Sequence, residues 1–437
     1  MNFPTTSHVH DELQQRSDTD CINVVFPLDE WLSAKGGLST FNRELAVNLA
    51  KFNDIIKVYC YVPQSNKEER EDARRHGVNL INAEEAPGSE NPIDCLKLPP
   101  PGIRVDVVVG HGRKFGVPAF FMTKSSTCKS TKLIQMVHVW CEDLGKYKKK
   151  ETTGQDTIED NEKKHKNEIS LCKAADRVVG VGRKLQHKYK SSLHDIRVES
   201  LTPGIFQSFC QPVHNPTRSF STDESDSTAD FWEFKIFVIG RLRHEDRYVK
   251  GLDIIAQAVA SLGEKFKLTC VGAPAGQQRA IEKWFVNKVE IDRDQLTIRG
   301  FCGREELKEM LWQADLVALP SRVEGFGLIA LEAISAGVPV LVSGQSGIAA
   351  ALQKVIGGRD VIVSSKEPQE WAERIRQLSL QDPQARNDNA LRLRENYQQT
   401  YPWAKECGNF VKLIKDLLEG MWGRLFQGQQ AWHILLL

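Results

Sequence analysis

The chain has 437 residues, of which 41% are hydrophobic and 26% charged. At ~150 residues per domain this length predicts two or three domains, and so apolar a composition excludes a disordered chain. Lys and Arg number 58 against 57 Asp and Glu, a formal net charge of +1, so no overall field draws the chain to nucleic acid or to an anionic membrane.

In chain order, residues 1–20 form a polar tail without the apolar block of a signal peptide. A first domain is expected over residues 21–205. Its short apolar runs are Ile22–Leu28, Ile55–Val62, Val105–Gly110, Lys132–Val139 and Val178–Val181. After Lys35-Gly36-Gly37, the residues Leu38, Phe41, Leu45 and Leu49 recur at helical spacing. Two glycines opening a helix make a notch for an anion or a hydroxyl. Gly110-His111-Gly112 and Val137-His138-Val139 each put a histidine just past a strand. The stretch Asp143–Asn167 is rich in Lys and Glu and reads as a solvated loop and helix start.

Residues 206–233 are expected to be a linker or surface loop, because Ser219–Asp230 is mostly Ser, Thr, Asp and Glu without an apolar period. A second domain is expected over residues 234–400, with runs at Lys235–Gly240, Leu268–Gly272, Leu296–Gly300, Leu316–Pro320, Val338–Ser343 and Val361–Ser364. Continuous apolar strands at helical separation predict parallel sheets covered on both faces. The α/β pattern thus occurs twice, and two such domains create a cleft between the carboxyl ends of their strands. A final helix is predicted over residues 401–420 and a tail of no assigned role over 421–437; no run reaches the ~20 apolar residues of a membrane span. The ten cysteines stand singly, with no Cys-x-x-Cys pair. This predicts reduced thiols, no zinc site and a cytoplasmic location.

The densest motif follows the run Leu316–Pro320. It reads Ser321-Arg-Val-Glu324-Gly325-Phe326-Gly327-Leu328 and opens a helix marked by Leu328, Leu331 and Ile334. Gly325 and Gly327 let backbone N–H groups approach an anion at the helix start. Glu332 stands in that helix, eight positions after Glu324. Two carboxylates so spaced are able to grip hydroxyls on opposite sides of a diphosphate. Gly240-Arg241 ends a strand and Lys250-Gly251 begins a helix; a guanidinium fork and an ammonium both suit a diphosphate. Asp292-Arg293-Asp294 precedes a strand rather than ending one, so it reads as a solvated turn and not as a metal motif.

The segment carrying Ser321, Glu324, Gly325, Phe326, Gly327, Glu332, Ala333, Gly337, Pro339 and Val340 resembles the donor-site signature of the retaining glycosyltransferases of family 4, the group 1 glycosyltransferases. The resemblance runs over about residues 22 to 420. It implies the GT-B fold, with two Rossmann-like domains facing a central cleft, and a C-terminal helix that crosses back onto the first domain. It implies that Glu324 contacts the donor sugar and Glu332 the ribose. Arg241 and Lys250 would bind the donor phosphates, beside Gly240 and the helix end at Gly327 and Leu328. Gly36 and Gly37 would approach the phosphates and the acceptor, and Phe301 and Cys302 the nucleobase. His138 would stand near the reacting sugar, with more reason than His111, and Lys146 near the acceptor.

Three departures accompany the match. The loop between Arg241 and Lys250 is long, which leaves Arg243 and Arg247 as competitors for Lys250. Pro203-Gly204 replaces an Asn-Gly turn. Gly347–Ala350 lacks the usual acidic residue, which predicts a loosened loop. The implied function is transfer of a hexosyl group from a nucleoside-diphosphate sugar to an unidentified acceptor, with retention, without a metal and with the nucleotide as substrate rather than cofactor. The alternative is a catalytically inactive module of this fold that binds or senses a sugar nucleotide. A nicotinamide oxidoreductase is disfavoured because no Gly-x-Gly-x-x-Gly follows the first strand.

Overall fold

A computed structural model describes residues 21–32, 36–85, 87–147, 157–210 and 232–433, apart from the side chains of 157–158 and 420–433. The tail 1–20, Lys35, the run Ser219–Asp230 and the final residues 434–437 lie outside the described residues. The first sheet contains β1 Ile22–Pro27, β2 Ile56–Val62, β3 Asn79–Asn82, β4 Val107–His111, β5 Lys132–Val137, β6 Arg177–Val181 and β7 Val198–Leu201. Its order is β3-β2-β1-β4-β5-β6-β7, parallel throughout. The second sheet contains β8 Phe234–Ile239, β9 Phe266–Ala273, β10 Leu296–Gly300, β11 Leu316–Leu319, β12 Val340–Ser343 and β13 Ile362–Val363. Its order is β10-β9-β8-β11-β12-β13, again parallel.

The central strands β4 and β11 are buried along their whole length, the burial that continuous apolar runs predict. The apolar runs of the sequence account for every strand except β3 and β7. Both are four-residue strands at the two edges of the first sheet, Asn-Leu-Ile-Asn and Val-Glu-Ser-Leu. These two edge strands carry Asn, Glu and Ser at exposed or partly exposed positions and leave no apolar run, whereas the edge strands β10 and β13 of the second sheet keep theirs.

Strand order reverses between β1 and β4 and again between β8 and β11, which makes these the switch points where ligands of such sheets bind. One apolar cluster spans both domains, joining Val24, Phe26 and Val137 of the first to Val317, Leu319 and Phe326 of the second. The facing strand ends are therefore fixed by a shared core. The helix Trp403–His433 crosses back onto the first domain and buries Phe410, Val411 and Ile414 there. Three hydrogen bonds tie this return. The Trp403 indole donates to the Ile205 carbonyl at 3.0 Å, the Tyr397 hydroxyl to the Pro203 carbonyl at 3.0 Å, and the Thr202 amide to Glu406 Oε2 at 2.9 Å. Among the described residues no helix is long and apolar enough to cross a membrane.

Candidate active site

After β11 the chain turns through Ser321 to Glu324 and then enters the helix Leu328–Ser335. Gly327 holds a φ of 103°, a left-handed conformation that lets this helix start abruptly at the loop. The Lys250 ammonium meets Glu324 Oε2 at 2.7 Å, and Ser321 Oγ lies 3.4 Å from the same oxygen. Burial works to raise the Glu324 carboxyl. The charge and bond of Lys250, with Lys184 and Ser321, outweigh it and hold the group below the usual carboxylate range. Arg322 grips Asp253 with both guanidinium nitrogens, at 2.6 and 2.7 Å, and so fastens this loop to the helix that follows Lys250.

The first domain closes on that loop. Lys184, in the helix Arg183–Ser192, donates to the Glu324 carbonyl at 3.0 Å and to the Gln345 carbonyl. A side chain at Gly325 would stand 1.9 Å from the His138 carbonyl, so only glycine allows this approach. Phe326 is buried against Gly182. At the start of the helix Gly37–Leu49, Gly37 abuts Leu328, where a Cβ would lie 3.2 Å from the leucine Cβ. The amino ends of two helices thus converge, each carrying a partial positive charge. Thr40 hydrogen-bonds the Glu332 carboxyl. Glu332 is only 2% exposed, and burial pushes its pKa up to about 8 against the pull of Thr40 and Arg304.

Gly240 and the exposed Arg241 follow β8 directly. The long loop beyond them is folded up: residues His244–Asp246 make a 3-10 turn, and the Lys250 amide donates to the Asp246 carbonyl at 2.8 Å. Arg247 is buried with its guanidinium 5.0 Å from the Trp284 ring, while Arg243 is exposed. Among the cations of this loop it is Lys250 that stands against Glu324. Phe301 and Cys302 follow β10, two strands from β8 at the sheet edge. Phe301 is 62% exposed, and burial raises the Cys302 thiol. Asp292 caps its turn by accepting from the Asp294 amide at 2.9 Å. Lys146 pairs with Asp143 at 3.0 Å, and the loop leaves the described residues just beyond, at 148.

The loop expected to be loose is a helix, Gly347–Leu352. Ser346 caps it, its hydroxyl accepting from the Ala349 amide at 3.2 Å, and Gly347 packs on the Gly325 carbonyl. A serine cap and backbone packing replace the missing acid, so the expectation of looseness is corrected.

His138 and His111 come together. His111 Nδ1 lies 3.0 Å from His138 Nε2, with ring centroids 5.2 Å apart. Phe41 sets its edge against both rings. Burial lowers both imidazoles, His138 to about 3 and His111, with His138 as its second cause, well below the ordinary value.

Several contributors escaped sequence reasoning. Lys184 sits in a basic amphipathic helix that reads as solvated. Arg43, Glu44 and Arg304 form a buried cluster beneath Glu332: Arg304 lies 3.8 Å from Glu44 and Arg43 bonds Asp72 at 2.6 Å. Burial raises Glu44. Polar residues on a predicted helix read as a solvent face, and only the second domain makes this face an interior.

A family model described as "Family 4 Glycosyltransferase in conflict systems" matches residues 25–410. The chain belongs to that family. It is similar to the D-inositol 3-phosphate glycosyltransferase of Corynebacterium urealyticum, 28% identical over 230 residues, which are 50% of this chain and 49% of that protein. It is also similar to an uncharacterized glycosyltransferase of Methanocaldococcus jannaschii, 28% identical over 189 residues, 43% of this chain and 46% of that one. This family-4 chain thus spans about half the length of the curated relatives it matches. Its fold is similar to sucrose-phosphate synthase from Thermosynechococcus elongatus, with a TM-score of 0.66 at 17% identity over 91% of this chain and 100% of that one. It is similar as well to Anabaena HepE in complex with UDP and glucose, with a TM-score of 0.64 at 14% identity over 90% of this chain and 100% of that one. The fold is GT-B, two Rossmann-like domains facing a cleft.

Proposed function

We propose that this family-4 glycosyltransferase transfers a hexosyl group from a nucleoside-diphosphate sugar to an acceptor, with retention at the anomeric carbon and without a metal. The observation that carries the reading is the Glu324–Lys250 pair, 2.7 Å apart, set where two helix amino ends converge. Positive charge aimed at a diphosphate stabilises it as its bond to the sugar breaks. Lys250, the exposed Arg241 and the two helix ends supply that charge. Glu324, kept ionised by Lys250, accepts hydroxyls of the donor sugar. Glu332 takes the ribose when the nucleotide displaces Thr40. Phe301 and Cys302 border the base.

In the reaction the anomeric carbon–phosphate oxygen bond breaks and the bond from the acceptor oxygen forms on the same face. The acceptor proton passes to the departing phosphate. The nucleotide is a substrate, and no resident cofactor is invoked. The acceptor enters along the first-domain loops after β1 and β5. The sensing alternative rested on the long loop before Lys250 and on the altered helix at Gly347; neither displaces Lys250 from Glu324.

The test is incubation with a panel of nucleoside-diphosphate sugars, beginning with uridine donors because HepE is seen with UDP and glucose. Nucleotide release and the anomer of the released sugar are followed by NMR, with and without EDTA. Release of one nucleotide, the donor's anomer appearing first, insensitivity to EDTA and loss in Glu324→Ala are expected. Ligand-induced resonance shifts with no release, even with mixed acceptors, would put the sensing module ahead.

A further inference from the structure

The pairing of His111 with His138 decides which nitrogen of His138 carries its proton. β4 ends at His111 and β5 runs beside it, with His111 opposite Met136, so the residue two places on, His138, brings its ring against His111. The contact joins His111 Nδ1 to His138 Nε2 at 3.0 Å. Two lone pairs or two N–H groups cannot share such a contact, so one ring donates and the other accepts.

The other nitrogen of His111 settles the direction. His111 is wholly buried, and among the described residues its Nε2 has no hydrogen-bond partner. Its ring neighbours besides His138 are Phe26 and Phe41, at 5.9 and 6.1 Å between centroids. Were His138 the donor, neutral His111 would carry its proton on Nε2 as an orphaned N–H among aromatic rings. Were His111 the donor, Nε2 would hold only a bare lone pair. Among buried backbone groups an orphaned N–H is rarer than an under-satisfied acceptor, and the same preference is taken for the imidazole. A doubly protonated His111 is disfavoured as well, because burial and then His138 hold it well below the ordinary imidazole range.

We infer that His111 is a positioning residue: it donates from Nδ1 to His138 Nε2 and so locks His138 in the tautomer with its proton on Nδ1. His138 is the partly exposed member of the pair, and its carbonyl packs on Gly325 of the donor loop. The segment that bears it is fixed from behind, by the Tyr189 hydroxyl donating to the Val139 carbonyl at 3.0 Å and the Cys141 thiol donating to Glu168 Oε2 at 3.3 Å. The His138 nitrogen not paired with His111 is therefore an N–H, a hydrogen-bond donor and not a base. On the transferase reading above, that N–H meets an oxygen of the donor sugar or diphosphate, and the acceptor proton goes to the phosphate instead.

The test uses the full chain with ¹⁵N-labelled histidine and no ligand, at neutral pH. Two-bond ¹H–¹⁵N spectra are expected to show His138 protonated at Nδ1 and bare at Nε2. His111→Asn places an amide N–H where Nδ1 stands and is expected to keep that tautomer. His111→Asp places an acceptor there and is expected to draw the proton to His138 Nε2. If transfer is found, kcat should fall by about 10²-fold in His111→Asp, the scale of losing one preorganised donor, and only a few-fold in His111→Asn. A wild-type spectrum with the proton on Nε2 of His138 overturns the inference, as does an equal fall in the two variants. If no donor supports turnover, the transferase reading fails while the spectra still decide the tautomer. The wild-type spectrum decides it even if a variant does not fold.

Discussion

The second domain brings its share of the site largely in one loop, Ser321–Leu328, with Lys250 fastened to it by the Arg322–Asp253 pair. The first domain brings its share from the ends of four strands: Gly37 and Thr40 after β1, His111 at the end of β4, His138 after β5 and Lys184 after β6. Both arrangements follow from parallel sheets, whose carboxyl ends all open on one edge. They differ in what holds the geometry. In the second domain, local turns and ion pairs between neighbouring loops fix the carboxylate. In the first, the contacts join residues far apart in sequence; Lys184 and the carbonyl it grips are 140 residues apart. The second domain thus holds the charge, and the first domain holds the loop.

That division predicts unequal losses. Glu324→Gln keeps the shape but removes the charge that Lys250 faces. It should lower kcat/KM by about 10²–10³-fold, the scale of a lost preorganised electrostatic group, and lower the melting temperature as well, because Lys250 loses its counter-charge. Lys184→Met removes the grip on the Glu324 and Gln345 carbonyls and the smaller of the two lysine charges near the Glu324 carboxyl. It should cost about tenfold, on the order of one hydrogen bond to a charged group, and should appear mainly as a higher KM for the donor. Steady-state kinetics with the donor found by the panel decide this. Equal losses in kcat for both variants would break the distinction between holding charge and holding the loop.

A second pair of variants sharpens where closure is strictest. A Cβ at Gly325 meets the His138 carbonyl, a backbone atom, at 1.9 Å, whereas a Cβ at Gly37 meets the Leu328 side chain at 3.2 Å. Backbone cannot yield as a side chain can. Gly325→Ala should destabilise by ~1–3 kcal/mol, the usual cost of overpacking, and Gly37→Ala by under ~1 kcal/mol. Urea midpoints followed by circular dichroism measure both. If Gly37→Ala proves the worse, closure is set by the meeting of the helix ends and not by the donor loop.

The same contrast governs what the sequence discloses. Eleven strands announce themselves as apolar runs, the edge strands β10 and β13 among them; β3 and β7 do not, because these two edge strands carry Asn and Glu. Glu324, Gly325, Gly327 and Glu332 are legible as a spaced motif because one loop and one helix set their separation. Lys184, Arg43, Glu44 and Arg304 carry no such spacing. Their helices look solvated until the other domain covers them, and Glu44 then meets Arg304 from the facing domain at 3.8 Å. Lys250 was uncertain by sequence because loop length says nothing of how a loop folds; the His244–Asp246 turn takes up the extra residues. The missing acid near Gly347 misled for a similar reason, since Ser346 caps that helix without any charge.

A pH-dependent effect concerns Glu332, where one carboxyl belongs to the second domain and its hydrogen-bond partner, Thr40, to the first. Burial raises Glu332 from 4.5 to about 8. Between those values the folded chain holds one more proton than the unfolded chain. Stability linked to this group is therefore full below the unfolded value, falls as pH rises through the window, and levels off above the folded value. The slope is at most about 1.4 kcal/mol per pH unit. Glu44, Glu168 and Glu406 are raised as well and share the sign, whereas His111 and His138 are lowered and oppose it. Only the difference between wild type and Glu332→Gln isolates Glu332. Urea midpoints taken between about pH 5 and 9 should fall more steeply in wild type than in the variant, and parallel curves would sink the assignment. Thr40→Val then asks which domain sets the value. The Thr40 hydroxyl pulls the Glu332 pKa down, so its loss should carry the falling limb to higher pH. An unmoved limb would mean that burial within the second domain alone fixes the carboxyl.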